Sequence, residues 1–255
     1  MSTLCDKAVA ILSTADPDTK VSATYAAGDS WRAGALEVGR TAPPDRPARP
    51  EKPELLQPRD MPRRSTGPVG RIALVHALAH IELNAVDLAW DIIARFGSDM
   101  PRAFNDDWVQ VAVEEAEHYA ALAARLTELG SSYGELPAHD GLWMAAARTA
   151  DDLAARLALI PMTLEARGLD TTPQTTEKLR AAGDAPTADI LDVIFRDEIK
   201  HLAVGIRWFE HLSPDPHARY LELINERFPG GLKPPFNMPA RLQAGMHEEY
   251  LRAWL

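Results

Sequence analysis

The chain of 255 residues has one cysteine, Cys5, so no intrachain disulfide and no cage of several thiolates can hold it together. A bystander thiol is the plain expectation for Cys5. Aromatic residues make up only 7% of the chain, and the formal net charge is -10. Nucleic-acid affinity rests on clustered Lys and Arg, so this balance argues against a phosphate-binding surface. Two further motifs are lacking, a glycine-rich nucleotide loop and a cysteine cluster for an iron–sulfur centre. Sustained apolar alternation between turn residues is also missing, which leaves no strand pattern. Acidic, basic or histidine residues interrupt the apolar stretches well short of the roughly 20 residues that cross a bilayer. The first 20 residues do not read as a secretory signal, and a cytoplasmic protein that uses no membrane is expected.

What is abundant is helix-forming sequence rich in Ala, Leu, Glu and Arg. Four long helices are expected near 69–97, 104–130, 140–168 and 186–212, with Gly97, Gly130 and Gly168 at or near three of their ends. Short helices are expected at 3–13, within 23–36, around 179–182, and near 216–227 and 239–254. Between Thr41 and Pro68 the repeated prolines forbid a helix interior and predict an extended, solvated strap over the core. The division expected is an N-terminal helical and proline-rich extension over 1–68, a four-helix bundle of two helical hairpins over 69–212, and a C-terminal helical extension over 213–255.

Two Glu-x-x-His pairs carry the chemistry, Glu115 with His118 and Glu198 with His201. Residues three apart on a helix share a face, so a carboxylate and an imidazole at this spacing can reach one metal ion. Glu82 precedes Glu115 by the same 33 residues by which Glu165 precedes Glu198 (115 − 82 and 198 − 165). Each half is therefore read as a hairpin that gives one Glu from its first helix and a Glu-x-x-His from its second. Bundles that hold two metal ions use this set, all pointing inward. Four carboxylates inside an apolar bundle would repel one another and lose hydration, whereas two divalent cations neutralise them. The expected ligands are Glu82, Glu115, His118, Glu165, Glu198 and His201. Glu114 and Asp197, one residue ahead of the Glu of each pair, are candidates to orient an imidazole of the facing helix. His76 and His80 fall away from the face of Glu82 and are expected to support the ligands from behind or to be ordinary helix histidines. Tyr119, Trp90, Trp108 and Trp208 are expected to be core.

With these residues in place, the sequence resembles the di-iron carboxylate proteins of the ferritin-like superfamily. That group includes soluble methane monooxygenase hydroxylase, the ribonucleotide reductase small subunit and the ferritins. Over residues 40–212, through stretches such as HALAHIELNAVDLAWDIIARF, WVQVAVEEAEHYAALAARL and FRDEIKHLAVGIRWFE, it is more closely similar to an uncharacterised bacterial family of ferritin-like proteins. The resemblance implies a ferritin-like bundle, two iron ions or alternatively manganese, and dioxygen chemistry. The expected function is an O2-dependent oxidoreductase, concretely a hydroxylase of a small molecule that draws electrons from an external donor. The alternatives are an iron-binding or ferroxidase protein without an organic substrate, and a helical interaction module that binds no metal. Fold likeness does not choose among these chemistries.

Overall fold

The computed structural model describes residues 2–228 and 230–255. Among the described residues the chain is helical, and its only β-type pairing is an isolated parallel bridge between Leu55 and Ala138. It divides into two compact units, Met1–Trp143 and Met144–Leu255.

In the first unit, α1 (Leu4–Leu12) starts from a reciprocal cap in which Thr3 and Asp6 each satisfy the other's backbone N–H. α2 (Pro17–Arg32) starts from Asp16, with Pro17 at a position where its missing donor costs nothing. Next come two long helices, α3 (Pro68–Phe96) and α4 (Arg102–Glu128), packed along each other, with α1 against α3 and α2 against α4. The middle of α3 is buried on every side, including Leu83, Val86, Leu88, Trp90, Ile92 and Ile93. A helix apolar all round is a core helix or a membrane span. By length and mean hydropathy (1.4) the stretch Pro68–Asp99 would pass as a span, contrary to the expectation that no stretch is apolar enough. Inside this protein 72% of that window is covered by the chain itself.

That core contains charges that the sequence pattern did not pair. Asp87 and Asp91 of α3 are fully buried. Asp87 meets the buried Lys20 of α2 and lies 3.0 Å from a guanidinium nitrogen of Arg49, while Asp91 receives Arg95 at 2.8 Å. Arg49 belongs to the proline-rich segment, so the strap is not simply solvated. It sends a cation into the core, and Arg49 also donates to Asn84 Oδ1 at 2.6 Å. Further ties come from Ala48 N–H to Leu12 O (2.7 Å) and Leu56 N–H to Ala138 O (2.8 Å). Gly97 does not adopt the left-handed conformation expected of a helix-ending glycine, for its φ is −58°. It is small because Asn105 Oδ1 sits 2.3 Å from where a Cβ would be. Gly130, at φ +78°, does behave as expected.

The second unit corrects the third long helix. In place of one helix over 140–168 there are α5 (Gly141–Ala147), which begins before the division, α6 (Leu153–Leu159), a π-helical turn (Ile160–Glu165) and α7 (Ala166–Ala181). Asp152 caps Ala155 N–H and starts a new helix after the turn at 148–151. Gly168, expected near a helix end, lies inside α7, and the short helix expected around 179–182 is the end of α7. Pro173 sits within α7, and its ring removes the bond to the carbonyl four residues back. That carbonyl, Leu169 O, is taken by the Asn237 side-chain amide at 3.0 Å. Asp170 of α7 is neutralised by a two-pronged Arg241 (2.9 and 2.7 Å), both buried.

α8 (Ala185–Leu212) and α9 (Pro216–Arg227) lie close to expectation, whereas the helix expected at 239–254 is two short pieces, α10 (Met238–Gln243) and α11 (Glu248–Leu251). α8 packs on α7, α6 and the π-turn.

Asp87→Ala is expected to destabilise the protein by about 3–5 kcal/mol, because Lys20 and Arg49 are then both buried without their acid. Lys20→Met should cost distinctly less, since Arg49 still faces Asp87. Urea unfolding of the two variants measures the difference, and equal losses would overturn this pairing as the basis of the core.

Candidate metal centre

α3 and α4 bring Glu82, Glu115 and His118 together. Each is more than nine-tenths buried, and their ligand-type atoms all lie within 4.8 Å of one another. A one-turn offset along α4 sets Glu115 and His118 on the face that meets α3. His118 Nδ1 is 3.3 Å from Glu115 Oε2 and 3.4 Å from Glu82 Oε2. One imidazole nitrogen thus serves two carboxylates. Only the contact to Glu115 has hydrogen-bonding geometry, and Glu82 Oε2 is a buried carboxylate oxygen without a hydrogen-bond partner.

The electrostatics come from that crowding. Burial, and then the charge of Glu115, push the Glu82 carboxyl well above the usual carboxylate range, although His118 pulls the other way. Burial works against a charged His118, but the two carboxylates outweigh it and raise the imidazole to about 11. The triad is short of positive charge, and a proton on His118 is what its own side chains offer. A buried carboxylate oxygen without a hydrogen bond, a second carboxylate and an imidazole suit a divalent metal of the iron, manganese or zinc kind.

In the second unit, His201 Nδ1 lies 3.8 Å from Glu198 Oε1 on α8, with His201 buried and Glu198 largely so. Glu165, the last residue of the π-turn, is half-buried. The turn has an identifiable cause. Pro161 lacks a donor, so the α ladder breaks there, and Thr163 Oγ1 donates to Ala158 O five residues back (2.8 Å). Thr163 Oγ1 also hydrogen-bonds the Tyr220 hydroxyl (2.7 Å). α8 accommodates the turn at Gly205, where a Cβ would come within 2.9 Å of Pro161. Pro161 and Gly205 therefore fix how the chain enters Glu165, which the duplicated spacing alone did not reveal.

Of the residues expected to orient imidazoles, Glu114 receives Gln110 Nε2 at 2.9 Å and Asp197 pairs with Lys200 at 2.6 Å. Tyr119, Trp90, Trp108 and Trp208 are buried, as expected of core, and Trp90 donates to Thr24 Oγ1 at 3.0 Å.

His76 and His80 have a definite structural task. The Tyr133 hydroxyl hydrogen-bonds His80 Nδ1 (2.8 Å), and His80 Nε2 faces His139 O (3.2 Å). A carbonyl only accepts, so Nε2 carries the proton and Nδ1 accepts from the phenol. Burial first, then the charge of Arg49, hold His80 neutral, its pKa pushed down to about 3. His76 Nε2 accepts from Gly134 N–H at 2.9 Å, and both rings stack on Tyr133. Together they clamp the loop after α4 onto α3. The four-residue spacing of the histidines signalled a shared face, but nothing in the sequence marked Tyr133 as their partner.

Residues 13–252 match the family described as "Protein of unknown function (DUF455)", and the chain belongs to that family. A Haemophilus influenzae protein described as "Uncharacterized protein" is 41% identical over 213 residues, which cover 79% of this chain and 74% of that one. No solved structure matches the chain.

Glu82 gives a pH prediction with a definite sign. Its folded pKa is raised, so its contribution to stability is complete below the unfolded value of about 4.5 and is lost as pH rises through the folded value. Glu82→Gln imitates the protonated acid. In chelator-treated protein it is expected to gain at least about 1 kcal/mol over the wild type at neutral pH, with the gain vanishing near pH 4. Urea unfolding at the two pH values checks this, and a Glu82→Gln protein weaker than wild type at neutral pH would refute it.

Proposed function

We propose that this protein is a di-metal carboxylate oxidoreductase of the ferritin-like kind. In this reading Glu82, Glu115 and His118 from one hairpin and Glu165, Glu198 and His201 from the other enclose two metal ions in a four-helix bundle. The carrying observation is the buried Glu82 Oε2, which has no hydrogen bond, inside a buried Glu–Glu–His group. The doubled 33-residue spacing supports a second, equivalent set of ligands.

Two ions facing four carboxylates and two neutral imidazoles leave no large net charge, which removes the desolvation objection to such a core. Iron is the reading favoured by the resemblance, with manganese as the other metal that the donor set accepts. When bound, a reduced pair of this kind supplies the electrons for dioxygen activation, and an external donor must restore them. The chain's own contribution is positional. α3 and α4 hold Glu82, Glu115 and His118 in a dry setting with Ala79, Ala85, Val86 and Ala112 among the buried residues of the two helices, which keeps bulk water from a reactive oxidant. His118 would have to be neutral to hold a metal, so loading would release its proton. Glu114 and Asp197 are proposed to orient the imidazoles. The substrate class proposed is a small organic molecule, hydroxylated at the centre.

The test is elemental analysis of purified protein, joined to oxygen uptake with a chemical reductant. Two metal ions per chain are expected, falling below one in Glu115→Ala. Metal-free protein whose melting is unchanged by chelators would sink the reading, and so would full occupancy in Glu115→Ala. Iron-mineral particles in high-order shells would replace the hydroxylase by a ferroxidase.

A further inference from the structure

The seam between α7 and α8 carries a groove of about 400 Å³, open to solvent and of a size with small-molecule sites. Along α7 its lining runs from Thr172 through Pro173 and Thr176 to Arg180, and α8 contributes Asp192 and Phe195. At roughly 100° per residue, Thr172 and Thr176 lie within about 20° of Glu165 around the α7 axis, starting about 10 Å further along it. Phe195 precedes Glu198 by three residues and shares its side of α8. The groove therefore continues the helix faces on which Glu165 and Glu198 stand.

Two unfavourable features meet on this stretch of α7. Pro173, inside the helix, forfeits a backbone hydrogen bond and lines the groove. Thr176 is only 5% exposed, yet its Oγ1 has no hydrogen-bond partner among the described residues. Its neighbours show the usual remedy: Thr171 and Thr175 return their hydroxyls to the carbonyls of Arg167 (3.2 Å) and Thr171 (3.0 Å), four residues back. A buried hydroxyl left without such a bond beside a groove is a place for a ligand's polar atom. The half-buried Phe195 ring adds an apolar surface that remains partly in water. The charges, by contrast, are matched. Arg180 holds both Asp189 (2.8 Å) and Asp192 (2.6 Å), and the exposed Glu177 adds only a further acid.

We propose that this groove seats the small organic molecule of the proposed function, a neutral ring compound whose flat face lies on Phe195 and Pro173 and whose single hydroxyl hydrogen-bonds Thr176 Oγ1. What is done to that molecule rests on the reading of Glu165 and Glu198 as metal ligands, whereas its binding rests on the groove alone. An anion is disfavoured because the guanidinium there already has two acids. A wholly apolar ring covers Phe195 but leaves the Thr176 hydroxyl as unsatisfied as before.

The experiment is a fluorescence titration of chelator-treated protein with 2-naphthol, naphthalene and 2-naphthoate, repeated on Thr176→Val and Thr172→Trp. 2-Naphthol is expected to saturate one site per chain, and 2-naphthoate to bind at least about tenfold more weakly. Thr176→Val removes the hydroxyl and keeps the shape. It should weaken 2-naphthol about fivefold, leave naphthalene unchanged, and leave the thermal melt equal or higher. Thr172→Trp fills the groove and should abolish 2-naphthol binding, while the metal content of untreated protein stays at the wild-type level. The proposal is overturned if Thr176→Val binds 2-naphthol like the wild type, if it weakens naphthalene equally, or if 2-naphthoate binds as well as 2-naphthol. Metal-free protein that binds 2-naphthol in the expected pattern would refute the metal centre and support the groove. Protein with two metal ions per chain that binds no 2-naphthol would refute the groove alone.

Discussion

An acid taken out of water must find a cation, and this chain supplies one almost everywhere it buries a carboxylate. Asp87 has Lys20 and Arg49, Asp91 has Arg95, and Asp170 has the fork of Arg241. Burying an ion costs several kcal/mol unless it is paired, so these partners are conditions of folding. Glu82 departs from the rule. It sits on the helix that carries Asp87 and Asp91, in equally dry surroundings, yet among the described residues the cation-forming group that faces it is the His118 ring. The contrast is more telling than burial alone. A fold that neutralises Asp87 twice over had the means to neutralise Glu82, and the place left open is where an external cation fits.

Much of this was legible from residue order. Burial on one side writes a period of 3.6 into a helix, and α4 and α8 declared themselves by it, whereas α3 did so by an unbroken length of helix-forming residues. The Glu-x-x-His pairs were legible for the same reason, because their spacing is the helix's own. The broken third helix was not. Ala and Leu continue through 145–160, and propensity has no term for the donor missing at Pro161, the hydroxyl of Thr163 that answers it, or the glycine forty-four residues later that makes room. Such features depend on contacts remote in sequence. The same holds for Lys20 and Arg49. Each looks like an ordinary surface cation, and only the approach of α2 and the strap to Asp87 makes them core residues.

The strap shows how a proline-rich segment is held without helix or sheet. Its prolines limit how many backbone donors need partners, and what remains is satisfied at a few points: Ala48 on Leu12, Leu56 on Ala138, and Pro44 O under Arg95. Between those points the segment has no ladder to fix it. The contacts that position it are therefore side-chain ones, Arg49 reaching inward to Asp87 and Met61 and Pro62 lying along α3.

The two repeated Glu-containing units are equal in sequence spacing but not in backbone. Glu82 stands in the middle of an unbroken helix, its position fixed by i→i−4 bonds on both sides and by packing that leaves it 4% exposed. Glu165 ends a π-turn whose hydrogen bonds are partly borrowed from side chains and whose surroundings leave it half-buried. A π-turn adds a residue without lengthening the helix in step, and it is retained against a cost because it re-aims the side chains beyond it. The stabilising contacts of Tyr220 with Thr163 and Met162, and the fit of Pro161 against Gly205, offset that cost locally. The duplicated Glu spacing thus rests on one carboxylate set in a regular, buried helix and one at the end of an irregular turn. The spacing repeats in the sequence, but the packing around each carboxylate does not, because it depends on partners remote in the chain.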